Sequence, residues 1–157
     1  MLVLADKAYS AHPAAVRMHS PRNGCVVVVM PAYNAARTLE QTVQAIPEGS
    51  ADEIILVDDA SNDATVRVAQ TPGLHVVVHP VNRGYGGNQK TCYTEALRDG
   101  ADVVVMVHPD FQYDPRRVPD MAAPILSGHA DAVIGSRFLN SDPREGGRKS
   151  SSGHYHP

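Results

Sequence analysis

Five short apolar runs, each rich in β-branched residues, recur from Cys25 onward, and polar loops leading into helical stretches separate them. Few folds accommodate that pattern. Strand alternating with helix is the mark of βα units, in which parallel strands are covered by helices on both faces. The first run, Val26-Val-Val-Val-Met30, is apolar at every position, as a central strand of such a sheet requires. The others occupy residues 53–57, 75–79, 101–107 and 131–135. The expected fold class is therefore α/β: a Rossmann-like, open and mostly parallel sheet with helices on both faces.

The connections carry their own signals. Pro31-Ala-Tyr-Asn34 ends the first strand, Asn34 can cap the next helix, and Leu39, Val43 and Ile46 recur at helical spacing until Pro47 stops them. Asp58-Asp59-Ala-Ser-Asn-Asp63 favours a turn and a cap before a helix over residues 65–70. Asn82-Arg-Gly84-Tyr-Gly86-Gly87-Asn88 opens a helix that ends near Gly100. A helix over residues 118–127 contains Pro124, which predicts a kink or break there. Residues 1–24 show no clear period and read as a leader, residues 25–139 as the folded domain, and residues 140–157 as a polar tail expected to be disordered.

Composition excludes several classes. Lys and Arg total 14 against 17 for Asp and Glu, a net charge of -3, so the electrostatic footprint of a nucleic-acid binder is missing. Runs such as residues 103–107 fall far short of the ~20 apolar residues that span a bilayer. The first residues lack the basic-then-apolar pattern of a secretory signal. Cys25 and Cys92 are the only cysteines and read as buried, reduced thiols. A cytoplasmic protein is the expectation.

In an open parallel sheet, ligands bind outside the carboxyl ends of the strands. The loops there hold Pro31, Tyr33 and Asn34; Asp58 and Asp59; Asn82 to Asn88; His108 to Tyr113; and Ser136 with Arg137. Five stretches, taken in order, resemble the family-2 glycosyltransferases of the glycosyltransferase-A fold. They are Val29-Met-Pro-Ala-Tyr-Asn34, Ile55-Leu-Val-Asp-Asp-Ala-Ser61, Asn82-Arg-Gly84, Asp110-Phe-Gln-Tyr-Asp-Pro115 and Ile134-Gly-Ser-Arg-Phe138. The Asp-X-Gln-X-X-Pro stretch most resembles the branch that transfers sugar onto polyprenyl or dolichyl phosphate.

The resemblance implies a UDP- or GDP-sugar donor, a lipid-phosphate or glycan acceptor, inversion at the sugar, and Mg²⁺ or Mn²⁺ beside the diphosphate. It implies peripheral membrane association through the acceptor, at the cytoplasmic face. Pro31, Tyr33, Asn34, Asp58, Asp59, Asn82, Gly84, His108 and Arg137 would line the nucleotide-sugar site. Asp58 and Asp59 would accept hydrogen bonds from base or ribose, although Asp59 could instead cap the turn from Ser61 to Thr65. Arg137 would face the diphosphate or sugar, a bidentate partner for phosphate.

One departure stands out. The family usually shows Asp-X-Asp after the fourth strand, where this chain has His108-Pro109-Asp110. A hard cation prefers oxygen to imidazole, so Asp110 is the expected ligand and chemical centre, with Gln112 beside it. His108 then contacts the nucleotide or is hydrogen-bonded at the sheet edge. His75, His79 and His129 show no ligand-like spacing and receive no role.

Two rival readings remain. Gly84 to Thr91 nearly matches a phosphate-binding loop, with Gln89 where the second glycine belongs, which would suggest nucleotide hydrolysis. The family also usually continues past Gly-Ser-Arg-Phe into a segment completing the acceptor site. That part is expected to be missing, leaving a truncated donor-binding fragment without turnover as the other alternative.

Overall fold

The computed structural model describes residues 2–5, 24–70 and 74–136. Its strands are β1 (Leu2–Ala5), β2 (Val26–Ala32), β3 (Glu53–Asp58), β4 (Leu74–Val78), β5 (Val103–Met106) and β6 (Ala132–Ile134). The helices are α1 (Leu39–Gln44), α2 (Thr65–Ala69), α3 (Gly84–Arg98) and α4 (Val118–Leu126), the last preceded by a 3₁₀ turn at Pro115–Arg117. The strands form one sheet in the order β4-β3-β2-β5-β1-β6.

β4, β3, β2 and β5 run parallel, while β1 lies antiparallel between β5 and β6. The expected mostly parallel α/β sheet is what forms. Residues 2–5 fall in the stretch read as a leader, yet they are a strand of the sheet. Their four residues, Leu-Val-Leu-Ala, were too short a run to stand out from the sequence around them.

The side-chain period of two sorts β2 and β5 between two cores. Val26, Val28, Met30, Val103 and Val105 face a layer holding Leu39 of α1, Ala69 of α2 and Val118 and Ala122 of α4. Val27, Val29, Val104 and Met106 face Cys92 and Ala96 of α3. Helices thus cover both faces, which is why β2 is apolar at every position. On α3 the buried positions are Asn88, Cys92 and Ala96, a stripe spaced by four that lets the helix lie close on the sheet.

Two expectations about the helices need correction. Asn34 does not cap α1, which starts at Leu39 after Thr38; its backbone is left-handed, at φ 52°. Its side chain serves the neighbouring loop instead. Of the kink or break expected at Pro124, the break does not occur, since α4 continues to Leu126. Because Pro124 stands in the last turn, its missing N–H costs one bond near the helix end rather than mid-helix. The expectation for α3 holds, with Gly100 at φ 78° just past its end. Cys92 is buried, whereas Cys25 is only half-buried. Among the described residues no helix is long and apolar enough to cross a membrane.

Candidate nucleotide site at the carboxyl edge of the sheet

From β2 the chain winds outward through β3 to β4, then α3 carries it back across the other face to β5. The winding reverses between β2 and β5. At such a switch point the flanking loops diverge and leave a crevice at the strands' carboxyl ends. Register brings Ala32, Asp58 and Val78 side by side there. Val107 N–H donates to Val29 O at 3.0 Å, so β5 ends beside them. The loops after β2, β3, β4 and β5 therefore meet at one edge, and all the expected site residues among the described ones lie in or beside them.

The first two loops are stitched together. Asn34 N–H donates to Ser61 Oγ at 2.8 Å, and Asn62 N–H donates to Asn34 Oδ1 at 2.9 Å. Ala35 N–H donates to Thr65 Oγ1 at 2.8 Å and Ala36 N–H to Asp63 Oδ2 at 3.1 Å. Asp63 also accepts from the Thr65 hydroxyl, which holds its carboxyl below the ordinary range. The β2 loop reaches the β5 loop through Thr38, whose hydroxyl donates to the Pro109 carbonyl. Asn34, Ala60 and Phe111 are the non-glycine residues with left-handed backbone among the described ones, and each sits in one of these loops. Strain of that kind persists only where surrounding bonds over-determine it.

Asp58 and Asp59 have different surroundings. Asp58 is 0% exposed, and its Oδ2 accepts from Ser61 N–H at 2.9 Å. The turn is thus closed by Asp58 rather than Asp59. Asp58 Oδ1 is buried with no hydrogen-bond partner, an unmet acceptor at the crevice. Asp59, 3% exposed, spends its Oδ1 within the protein: His79 Nδ1 lies at 2.7 Å and Arg83 N–H donates at 2.8 Å. Burial pushes the Asp59 carboxyl up, but the Arg83 amide and His79 outweigh it and hold the group below its ordinary value. These bonds anchor the Asp59 side chain at the start of α3.

That start is further built by Asn82, whose Oδ1 accepts from Gly84 N–H at 2.8 Å, with Gly84 at φ 72°. Gly87 lies so close beneath Arg83 that a Cβ there would stand 2.7 Å from the Arg83 Cβ. Residues 84–98 are helix throughout, so Lys90 lies inside a helix and no loop wraps a phosphate. The near-match to a phosphate-binding loop fails on this geometry. Asn88, buried one turn before Cys92 on the same stripe, donates from Nδ2 to the carbonyls of Val57 at 3.0 Å and Ala32 at 3.3 Å. Burial pushes the Cys92 thiol up to about 12, so it is an inert packing group.

On the β5 side, His108 stacks on Tyr85, with ring centroids 5.6 Å apart, and its Nε2 lies 3.0 Å from the Tyr85 hydroxyl. Gln89 Nε2 donates to that hydroxyl at 2.7 Å. Burial lowers the His108 pKa, with Asp110 pulling the other way. The exposed Asp110 accepts from Gln112 N–H at 2.9 Å through Oδ1. Tyr33 is exposed at the rim. Arg137 and Phe138 lie outside the described residues, as do residues 6–23 of the leader and the tail.

Two histidines that spacing had passed over proved to be engaged. His79 joins Asp59 as above. His75 Nδ1 stands 3.3 Å from both Glu53 Oε1 and Asp99 Oδ2, at the opposite, amino end of the strands. Neither has a sequence signal, because the partners are more than twenty residues apart or on different elements.

A model of the family described as glycosyl transferase family 2 matches residues 27–156. The chain is 32% identical over 121 residues to undecaprenyl-phosphate mannosyltransferase of Micrococcus luteus, covering 71% of this chain and 48% of that protein. It is 27% identical over 137 residues to UDP-N-acetylglucosamine--dolichyl-phosphate N-acetylglucosaminyltransferase of Methanococcus voltae, covering 76% and 54%. Among solved structures it resembles glucosyl-3-phosphoglycerate synthase from Mycobacterium tuberculosis in complex with Mn²⁺, UDP and glucosyl-3-phosphoglycerate. The TM-score is 0.56 at 29% identity, over 66% of this chain and 40% of the other. The chain spans about half the length of the curated relatives it matches.

Proposed function

Because this chain belongs to glycosyl transferase family 2, we propose that it forms the donor site of an inverting enzyme. That enzyme transfers a sugar from a UDP- or GDP-sugar to an acceptor, with polyprenyl or dolichyl phosphate as the preferred acceptor class. The observation that carries the reading is the unmet Asp58 Oδ1 at the carboxyl end of β3, on the sheet edge where the β2 loop carries exposed Tyr33 and the β5 loop exposed Asp110. The relatives named for undecaprenyl and dolichyl phosphate support the acceptor class, and the synthase complexed with UDP and Mn²⁺ supports the donor class.

Each wall of the crevice has a share of the work. Asp58 Oδ1 would accept a hydrogen bond from the nucleoside once the loop covering it yields, satisfying an acceptor that otherwise costs stability. Tyr33 offers its ring to the base, while Pro31 and Asn34 shape the loop that holds it. Asn82 and Gly84 present the start of α3 as the opposite wall. Arg137 is proposed at the diphosphate.

The donor set on the β5 loop fits a hard divalent cation. Asp110 is an exposed carboxylate and Gln112 an amide oxygen two residues on, whereas His108 Nε2 is already engaged with Tyr85. Asp110 and Gln112 would hold Mg²⁺ or Mn²⁺, which when bound supplies positive charge to the departing diphosphate. In the transfer an acceptor oxygen bonds to the anomeric carbon from the face opposite the diphosphate. The C–O bond to the diphosphate breaks, and its electron pair leaves with the nucleoside diphosphate. A lipid phosphate is already anionic, so no strong base is required of the chain. The acceptor would bring the enzyme to the cytoplasmic face of a membrane.

Donor binding is the property to test on this chain, and transfer on the whole enzyme. Thermal shift against UDP- and GDP-sugars, each with Mn²⁺, should raise the melting temperature with one nucleotide class. Asp110→Ala should abolish the Mn²⁺-dependent part of that shift. An unchanged Mn²⁺-dependent shift in Asp110→Ala refutes the assignment of Asp110.

A further inference from the structure

His79 is 4% exposed, titratable and unused by the donor-site roles above. It follows β4 directly, and its own N–H donates to Asp58 O at 2.9 Å, so its backbone is an extension of the ladder. A carboxylate can only accept, so at 2.7 Å from Asp59 Oδ1 the His79 Nδ1 carries the proton and donates it. The other ring nitrogen, Nε2, lies 2.9 Å from Thr91 Oγ1 on α3. Thr91 Oγ1 also lies 3.3 Å from Gly87 O, and its single proton goes to Nε2 when the ring is neutral and to that carbonyl when Nε2 itself donates. The imidazole therefore bridges a strand end to a helix. The Asp59 oxygen it holds also accepts from Arg83 N–H, the residue that opens α3.

We propose that His79 is a positioning residue of the donor site: pinned to Thr91, it locks the Asp59 carboxylate against the first turn of α3. The Asp58–Asp59 turn and the Asn82–Gly84 wall are thereby held in one ligand-ready arrangement. This rests on the donor-site reading. Without His79, Asp59 keeps backbone amides at the start of α3, those of Arg83 and Gly84, but loses its side-chain partner and the tie to Thr91, so its orientation is no longer fixed. The two walls then move independently, and a nucleotide must order them at its own expense.

The test is UDP binding with Mn²⁺, by calorimetry, well below each variant's melting temperature. His79→Ala should weaken UDP about tenfold, the scale of one lost hydrogen bond to a charged group. His79→Asn should restore binding to within about threefold, since its amide N–H can stand where Nδ1 stood. A purely structural histidine would lower the melting temperature in both variants and leave the dissociation constant unchanged in both; that result overturns the proposal. Should His79→Ala not fold, His79→Gln replaces it, because Gln reaches Thr91 but not Asp59. Asn must then bind UDP more tightly than Gln, and equality or the reverse order overturns the proposal. Failure of the wild-type chain to bind either UDP or GDP sinks the donor reading and this inference together, whereas wild-type binding with an unaffected His79→Ala sinks the inference alone; if the wild-type chain takes GDP rather than UDP, GDP replaces UDP throughout.

Discussion

Replacing Asn88 tests how α3, a wall of the proposed donor site, is fastened to the sheet. Its side chain is 3% exposed and donates twice, at 3.0 Å to Val57 O and 3.3 Å to Ala32 O, near the carboxyl ends of β3 and β2. In Asn88→Ala the shorter bond, worth about 1 kcal/mol net, is lost outright. The longer one matters less, because Ala32 O keeps the Asp59 N–H at 2.9 Å. A small cavity and a less satisfied buried carbonyl add about 1 kcal/mol more, for a total of about 2 kcal/mol. Asn88→Asp keeps the volume but turns carboxylate oxygens toward two carbonyl oxygens, so it should cost about 1 kcal/mol beyond alanine. Urea unfolding at fixed pH is the assay, read as a shift in midpoint at unchanged slope. For a chain of this length the alanine variant should also melt about 4 to 8 °C lower. The reasoning is refuted if Asn88→Ala unfolds within about 0.5 kcal/mol of wild type, or if Asp is tolerated as well as Ala.

Two further outcomes follow from the same wall. The Asp59 carboxyl is held below its ordinary value of 3.8 by the Arg83 amide and His79 against the opposing effect of burial, so the stability it contributes is complete above that value and is lost as pH falls through the lower folded one. Asp59→Asn should therefore cost about 1 to 2 kcal/mol near neutral pH and progressively less in acid, and urea melts showing the same deficit at about pH 7 and about pH 3 would contradict this. Gly87→Ala should displace Arg83, since its Cβ would lie 2.7 Å from the Arg83 Cβ; faster hydrogen exchange at the Arg83 amide is the expected signature, and an unchanged rate would show that the turn adapts without moving.

Much of the architecture could be read in advance, and for stated reasons. Val26 to Met30 is apolar on both faces because α1, α2 and α4 cover one side and α3 the other. Asp58, Asn82 and Asp110 stand at the ends of apolar runs, and parallel strands place such ends at one edge. The errors have a common origin. Asn34 was assigned to a helix by its residue type, but its amide and side chain found closer partners in Ser61 and Asn62 of the next loop. Asp59 was offered as a cap for the turn from Ser61 to Thr65, yet Asp58 closes that turn and the Asp59 side chain runs to His79 and Arg83.

Periodicity and residue type, which act along the chain, determined the α/β class, the strand positions and the edge where polar loops collect. They also carried the motifs that mark glycosyl transferase family 2. Only tertiary structure decided which of those polar groups meet. His79 finds Asp59 twenty residues earlier, Tyr85 stacks on His108 across α3 and β5, and Leu2–Ala5 fits between β5 and β6. The physical reason is that burial favours whole faces, which repeat along a sequence and can be read there. A hydrogen bond needs two particular atoms within about 3 Å, and strand register and helix packing, set by the assembled core, decide which atoms those are.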